Sequence, residues 1–197
     1  MFITLPQYLL LFLVVFLVYL TGKTIIFHKK FHINPVQFSH YKEKVQFCAW
    51  IGLMMVLVVY GVLIVLMFLG KNMGEEWVIL DTAWINFLGM AFSVMGFVMM
   101  VMAHAHMGEE WRMGVDRGGK INLVQERLFS ISRNPVYLAI LLQTGGLFLL
   151  MKIPAALVLW LVLLMFMRVV IRTEERFLEE IFGREYGDYK KRVRRFL

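Results

Sequence analysis

The chain has 197 residues, 60% of them hydrophobic and only 18% charged, with 17 Phe, 15 Met and a mean hydropathy of +0.69. Soluble domains carry about 45–50% apolar and about 25% charged residues, so this excess does not fit inside one small core, and soluble enzyme folds are nearly excluded. The net charge of +7 fits membrane orientation better than a nucleic-acid partner, because of where the charges fall.

The first apolar run, 5–22, meets no charge before Lys23 and approaches the ~20 residues that cross a hydrocarbon core. It has no basic residue ahead of it and no small-x-small site after it, so it reads as a span rather than a cleaved signal peptide. The second, 45–70, is almost unbroken Val, Leu, Met, Ile and Phe. Cys48 near its start reads as a small buried filler. The third, 82–103, carries Asn86, Gly89, Ser93 and Gly96, which suit close helix contact. The fourth and fifth, 135–151 and 154–171, form a hairpin about Lys152-Ile153-Pro154, with Pro154 opening the second helix. Gln143, Thr144, Gly145 and Gly146 suit either close packing or a local break.

Between these spans the charge is uneven. Linker 23–44 carries net +4, linker 71–81 net −2, segment 104–136 net +1, and Lys152 alone separates the last two spans. The chain from Arg168 onward has nine basic and six acidic residues. The positive-inside rule then places the N-terminus outside and the polar mass in the cytoplasm. The expected fold is an all-α integral membrane protein, a single membrane domain of five transmembrane helices with a small C-terminal cytoplasmic cap from 104–136 and 172–197.

Chemistry must reside in that cap. Over 172–197, Phe177, Leu178, Ile181, Phe182, Tyr186, Tyr189 and Val193 recur at helical spacing, with Gly183 and Gly187 as expected interruptions. The plain reading is an amphipathic tail on lipid, its closing KKRVRR drawn to anionic headgroups; a lid over a pocket is the alternative. Arg168, Arg172, Glu174 and Glu175 are either ordinary charges at a helix end or a cation and carboxylate set for a cofactor's amino-acid end. Arg133-Asn134-Pro135-Val136-Tyr137 starts a helix, with Asn134 free to cap it or to bond a ligand. Trp111 reads as an interfacial belt residue, or as the wall of a ligand pocket. The pairs His28/His32 and His104/His106 lack Cys or ordered acidic partners, so no metal site is expected. No GxGxxG follows a strand, no Walker A sequence occurs and Cys48 has no evident base.

Three segments, GEEWRMG from Gly108, INLVQERLFSISRNPVYLAILLQTGG from Ile121 and RTEERFLEEIFGREYGDYKKRVRRF from Arg172, together resemble the isoprenylcysteine carboxyl methyltransferase family and its bacterial and archaeal relatives. The wider group includes membrane phospholipid methyltransferases. The resemblance covers nearly half the chain and does not identify the substrate. It implies a prokaryotic inner-membrane enzyme that uses S-adenosylmethionine, held by C-terminal cytoplasmic elements, with a lipid-like acceptor entering from the bilayer. By motif, Leu123 and Val124 match the segment beside the cofactor, Arg133-Asn134-Pro135 matches the family's Arg-His-Pro, and Tyr137 its following tyrosine. Glu174 or Glu175 matches the carboxylate at the cofactor's amino-acid end, and Tyr186 and Tyr189 fall in the C-terminal FGxxYxxY pattern. Arg168 and Arg172 are candidates for the essential arginine.

Two departures stand out. Arg127 occupies the family's glycine position, where positive φ comes easily only to Gly. Asn134 replaces a histidine, which keeps a hydrogen-bonding side chain but removes a titratable ring. The expected reaction is methyl transfer to O, N or S of a hydrophobic or lipid-like acceptor. A non-enzymatic lipid-binding or assembly protein, and a membrane sterol-type reductase using NADPH, are the competing readings.

Overall fold

The computed structural model describes residues 4–32, 36–37, 44–71, 82–111, 113–114 and 122–197. The expected linkers fall partly outside these, as do Arg112 and residues 115–121. Among the described residues the helices are, in order, α1 (Leu5–Phe31), α2 (Lys44–Phe68), α3 (Ala83–Met107), α4 (Pro135–Met151), α5 (Pro154–Phe182) and α6 (Arg184–Arg192). Short 3₁₀ turns at Gly108–Glu110 and Arg127–Ser130 lead out of α3 and into α4. One two-residue parallel pair, β1 (Val36–Gln37) with β2 (Met113–Gly114), joins two connecting segments.

Among the described residues, four segments are long and apolar enough to cross a membrane: Leu5–Phe31, Phe47–Phe68, Ala83–Glu110 and Pro154–Phe182. The fourth expected span, Pro135–Met151, is an apolar helix of 17 residues, about 25 Å at 1.5 Å per residue. The many exposed apolar side chains on α1, α2 and α3, such as Val18, Met55 and Phe87, are at home in lipid, where they need no protein partner.

Several boundaries differ from expectation: α5, expected over 154–171, runs on to Phe182. The first helix does not stop near Gly22 but continues through Lys23, Lys29 and Lys30 to Phe31. Charge marks where hydrocarbon ends rather than where a helix must, since long cationic side chains extend to the headgroups while the backbone stays helical. Gly183 does interrupt the last helices, at φ +50, but Gly187 lies inside α6. Cys48 is exposed, not a buried filler; it lies in the second turn of α2, on a face without protein cover.

Helices α3 and α4 make the tightest joint. A Cβ placed on Gly96 would lie 2.7 Å from the Ala139 carbonyl oxygen, and one on Gly146 would lie 2.6 Å from that of Gly89. The small residues therefore serve close approach of two backbones, and α4 is unbroken through Gly145 and Gly146. Hydrogen bonds from the Tyr60 hydroxyl to Ala156 O (2.6 Å) and from Trp160 Nε1 to Leu141 O (3.2 Å) tie α5 to α2 and α4. The expected turn is present, with Lys152 at φ +55 capping α4 and Pro154 opening α5.

Candidate active site

Packing brings the C-terminal ends of α1, α3 and α5 together with the N-terminal ends of α2 and α4, and a cavity of about 240 Å³ opens among them. Its apolar wall comes from Phe16 and Leu20 of α1 and Trp50, Leu53, Met54 and Leu57 of α2. The polar end is built from Arg133, Asn134, Tyr137, Glu174 and Glu175, with Phe129, Trp111 and Tyr186 as aromatic walls. Trp111 is thus buried against the cavity, and the belt reading gives way to the pocket reading.

Adjacent carboxylates have different surroundings because successive helical residues diverge by about 100°. Glu175 is held by protein. Its Oε1 accepts from Arg133 Nη2 (3.0 Å), Arg133 Nε (3.2 Å), Asn134 Nδ2 (3.3 Å) and Arg195 Nε (3.2 Å), while Oε2 accepts from Arg195 Nη2. The Glu175 and Arg133 side chains are 5% and 8% exposed, so this is a buried, paired charge and not a surface ion pair. Glu174 accepts only the Tyr137 hydroxyl, at 2.7 Å, among the described hydrogen bonds, and its carboxylate also lines the cavity. Of the two candidates, Glu174 has coordination left for a ligand.

Arg133 has most of its donors committed. Nη1 reaches Lys190 O (3.0 Å) and Val193 O (2.7 Å), and the Arg133 backbone N–H bonds Arg194 O (3.0 Å). Ser132 Oγ donates to Arg195 O (3.2 Å) and accepts from Asn134 N (3.2 Å). Asn134 occupies the N-cap position of α4, yet its side chain makes no cap bond; Nδ2 reaches Glu175 and Arg195 O. The loop before α4 is therefore stitched to the C-terminal tail. The tail is thus held to the protein through Lys190, Val193, Arg194 and Arg195.

Tyr186 and Tyr189 pack together with Val193, against Leu123, Leu178 and Phe182. The Tyr189 hydroxyl donates to Phe129 O at 2.6 Å, fixing an aromatic wall of the cavity. Burial pushes the Tyr189 hydroxyl up to about 12, and burial with the nearby Glu175 charge raises Tyr186 as well. Hydrogen bonding to Glu175 raises Arg195 above the ordinary arginine value.

The remaining sequence candidates are not in the cavity wall. Leu123 supports Tyr186 and Tyr189 from behind, and Val124 is half-buried beside it. Arg168 and Arg172 are exposed, away from the lining. Arg195 was read only as part of a basic run; Phe196, partly buried against the main core, is the apolar signal that this run folds back. Arg127, in the family's glycine position, has φ +58, so the backbone keeps a glycine-like turn under a different side chain.

A helical membrane protein with a polar pocket opening into an apolar one is the class that these observations define. A family model described as phospholipid methyltransferase matches residues 84–185. The chain belongs to that family, a family of membrane methyltransferases acting on lipid-like substrates. No curated protein gives a significant match to the chain. The matched region supplies α3, α4, α5 and the polar end of the cavity, whereas α1 and α2, which supply much of the apolar wall, lie upstream of it.

Proposed function

We propose that the protein transfers a methyl group from S-adenosylmethionine to a lipid-like acceptor in this cavity. The observation that carries the reading is the cavity's composition: one space joins a ligand-competent carboxylate, Glu174, to an apolar wall formed by two apolar helices. The donor set fits the cofactor's charges. Glu174 would receive the ammonium, Asn134 would hydrogen-bond its polar groups, and Tyr186, Phe129 and Trp111 would flank the sulfonium and the adenine, since aromatic faces attract cations and stack on bases. The sulfonium is an activated methyl donor, so the difficult chemistry belongs to the cofactor. The protein's share is alignment and exclusion of water, which in favourable intramolecular models contributes about 7 kcal/mol or more.

Residue roles divide by geometry. Glu174 and Tyr137 act at the ligand; Arg133, Glu175 and Arg195 hold the wall in which they sit. Tyr189 and Leu123 hold that wall from behind. Arg168 and Arg172, exposed in the middle of α5, are suited to lipid headgroups. The same reading makes α1 to α5 a five-pass bundle with the cavity and tail on the cytoplasmic face, in keeping with the positive linkers on that side. The acceptor's head meets the polar end while its tail lies along Phe16, Leu53 and Leu57.

Equilibrium binding of S-adenosylmethionine to purified protein in detergent tests the reading. Wild type is expected to bind, and Glu174→Gln to bind at least 10-fold more weakly with unchanged thermal stability, since one charge-assisted hydrogen bond contributes about 1.5–3 kcal/mol. Absence of binding by folded wild type rejects the proposal, and binding of NADPH in its place would favour the reductase reading.

A further inference from the structure

One buried titratable side chain lines the cavity without belonging to the Glu174 and Glu175 cluster: His104, in the last turn of α3. It is 4% exposed and held on several sides. The Tyr19 hydroxyl lies 2.9 Å from Nδ1, with the two rings stacked at 5.9 Å and 7°. Trp111 presents an edge contact at 5.2 Å, and Lys23 Nζ donates to the His104 carbonyl oxygen at 3.4 Å. Because Nδ1 is engaged by Tyr19, Nε2 is the ring nitrogen left for the cavity; no described residue bonds it.

A tyrosine hydroxyl both donates and accepts, so it can receive a hydrogen from Nδ1. In that tautomer Nε2 carries a lone pair, and a proton taken there leaves the Nδ1 bond to Tyr19 intact. A carboxylate acceptor has no proton to release, and its negative charge would face that lone pair. A head bearing an N–H, O–H or S–H group satisfies it.

We propose that His104 is a catalytic residue on the acceptor side, removing the proton of a protic nucleophile on the lipid-like acceptor, with Tyr19 as its positioning residue. This rests on the methyl-transfer reading above. As the nucleophile's lone pair forms its bond to the methyl carbon, the methyl–sulfur bond breaks and its electron pair stays on sulfur; the proton of the nucleophile passes to Nε2. The titratable or charged groups facing His104 are Tyr19 and Lys23 from α1 and, across the cavity, Arg133, Tyr137, Glu174, Glu175 and Tyr186.

The test uses the whole protein in mixed micelles containing phosphatidylethanolamine, as a defined amine probe, together with a total membrane lipid extract. Labelled S-adenosylmethionine reports transfer and mass spectrometry identifies the product. His104→Gln is expected to bind the cofactor like wild type while kcat falls about 100-fold or more, the range of general-base losses. The rise of kcat with pH expected of wild type, as the imidazole loses its proton, is expected to be absent in this variant. Tyr19→Phe is expected to shift that rise and to lose less. Nitrogen NMR of ¹⁵N-histidine-labelled protein, assigned by the signals missing in His104→Gln, gives a readout independent of activity: Nε2 is expected unprotonated and Nδ1 protonated.

Wild-type kcat and pH profile in His104→Gln would overturn the proposal, as would a protonated Nε2 in the neutral ring. A methyl ester of a carboxylate as product, no transfer by cofactor-bound wild type, or loss of cofactor binding in His104→Gln would overturn it too. Failure of wild type to bind S-adenosylmethionine is a separate result, seen before any variant is made, and it removes the methyl-transfer reading and this inference with it.

Discussion

Arg127 shows how a backbone requirement outlasts the residue type that usually meets it. At φ +58 it stands in the left-handed region, where an L side chain costs roughly 1–2 kcal/mol. Its side chain is exposed, so little packing is lost on removing it. Arg127→Gly is expected to stabilise the protein by about 1 kcal/mol, read as a higher thermal midpoint in detergent, whereas Arg127→Ala should give no such gain. The departure itself was visible in the sequence; that the turn survives it was not, because a dihedral angle is set by the turn's neighbours. The same distinction holds for Glu174 and Glu175. Two adjacent acids were plain, but only the fold shows that one is enclosed by Arg133, Asn134 and Arg195 while the other, also at the cavity, is bonded by Tyr137.

At the level of elements, small residues did more to reveal packing than hydrophobic ones. Gly89 and Gly96, with the small Ser93 between them, marked the side of α3 that meets α4, because a backbone contact of this closeness leaves no room for a Cβ at either glycine. Gly96→Ala, whose Cβ would lie 2.7 Å from Ala139 O, is expected to cost about 1–3 kcal/mol as the helices separate. Gly22→Ala has nothing within 4 Å, so it should leave the thermal midpoint unchanged or raise it slightly. Helix ends were harder to read. An amide does not distinguish hydrocarbon from headgroup once its intrahelical bond is made, so hydropathy located the apolar stretch of α1 but not the turns beyond Lys23. A pH scan checks the docking of α6. In the folded chain Tyr189 keeps its proton up to about 12, whereas in the unfolded chain it titrates near 10. Its contribution is complete below about pH 10 and is lost as pH rises toward 12, where stability should fall. Tyr189→Phe should flatten that fall.

Across the whole molecule, Glu175 is the point at which three distant parts of the chain meet: the loop entering α4, the middle of α5 and the C-terminal tail. Removing a buried partner leaves two arginines uncompensated, so Glu175→Ala is expected to cost about 3–5 kcal/mol in thermal or denaturant unfolding, unlike Glu174→Gln. The apolar excess correctly announced a bundle, since lipid leaves the backbone few ways to satisfy itself. It could not announce the closure of the tail, whose bonds run largely from side chains to carbonyl oxygens that no residue pattern encodes.

Helix α5 runs without a break from Pro154 to Phe182, so both carboxylates sit on the same rod as an apolar stretch long enough to cross a membrane. A helix longer than the local hydrocarbon adjusts by tilting. Any tilt imposed at the Pro154 end is carried by this rod to Glu174, while Tyr137 and Asn134 ride on the shorter α4. On the five-pass reading proposed above, bilayer thickness would thereby be a geometric variable of the pocket.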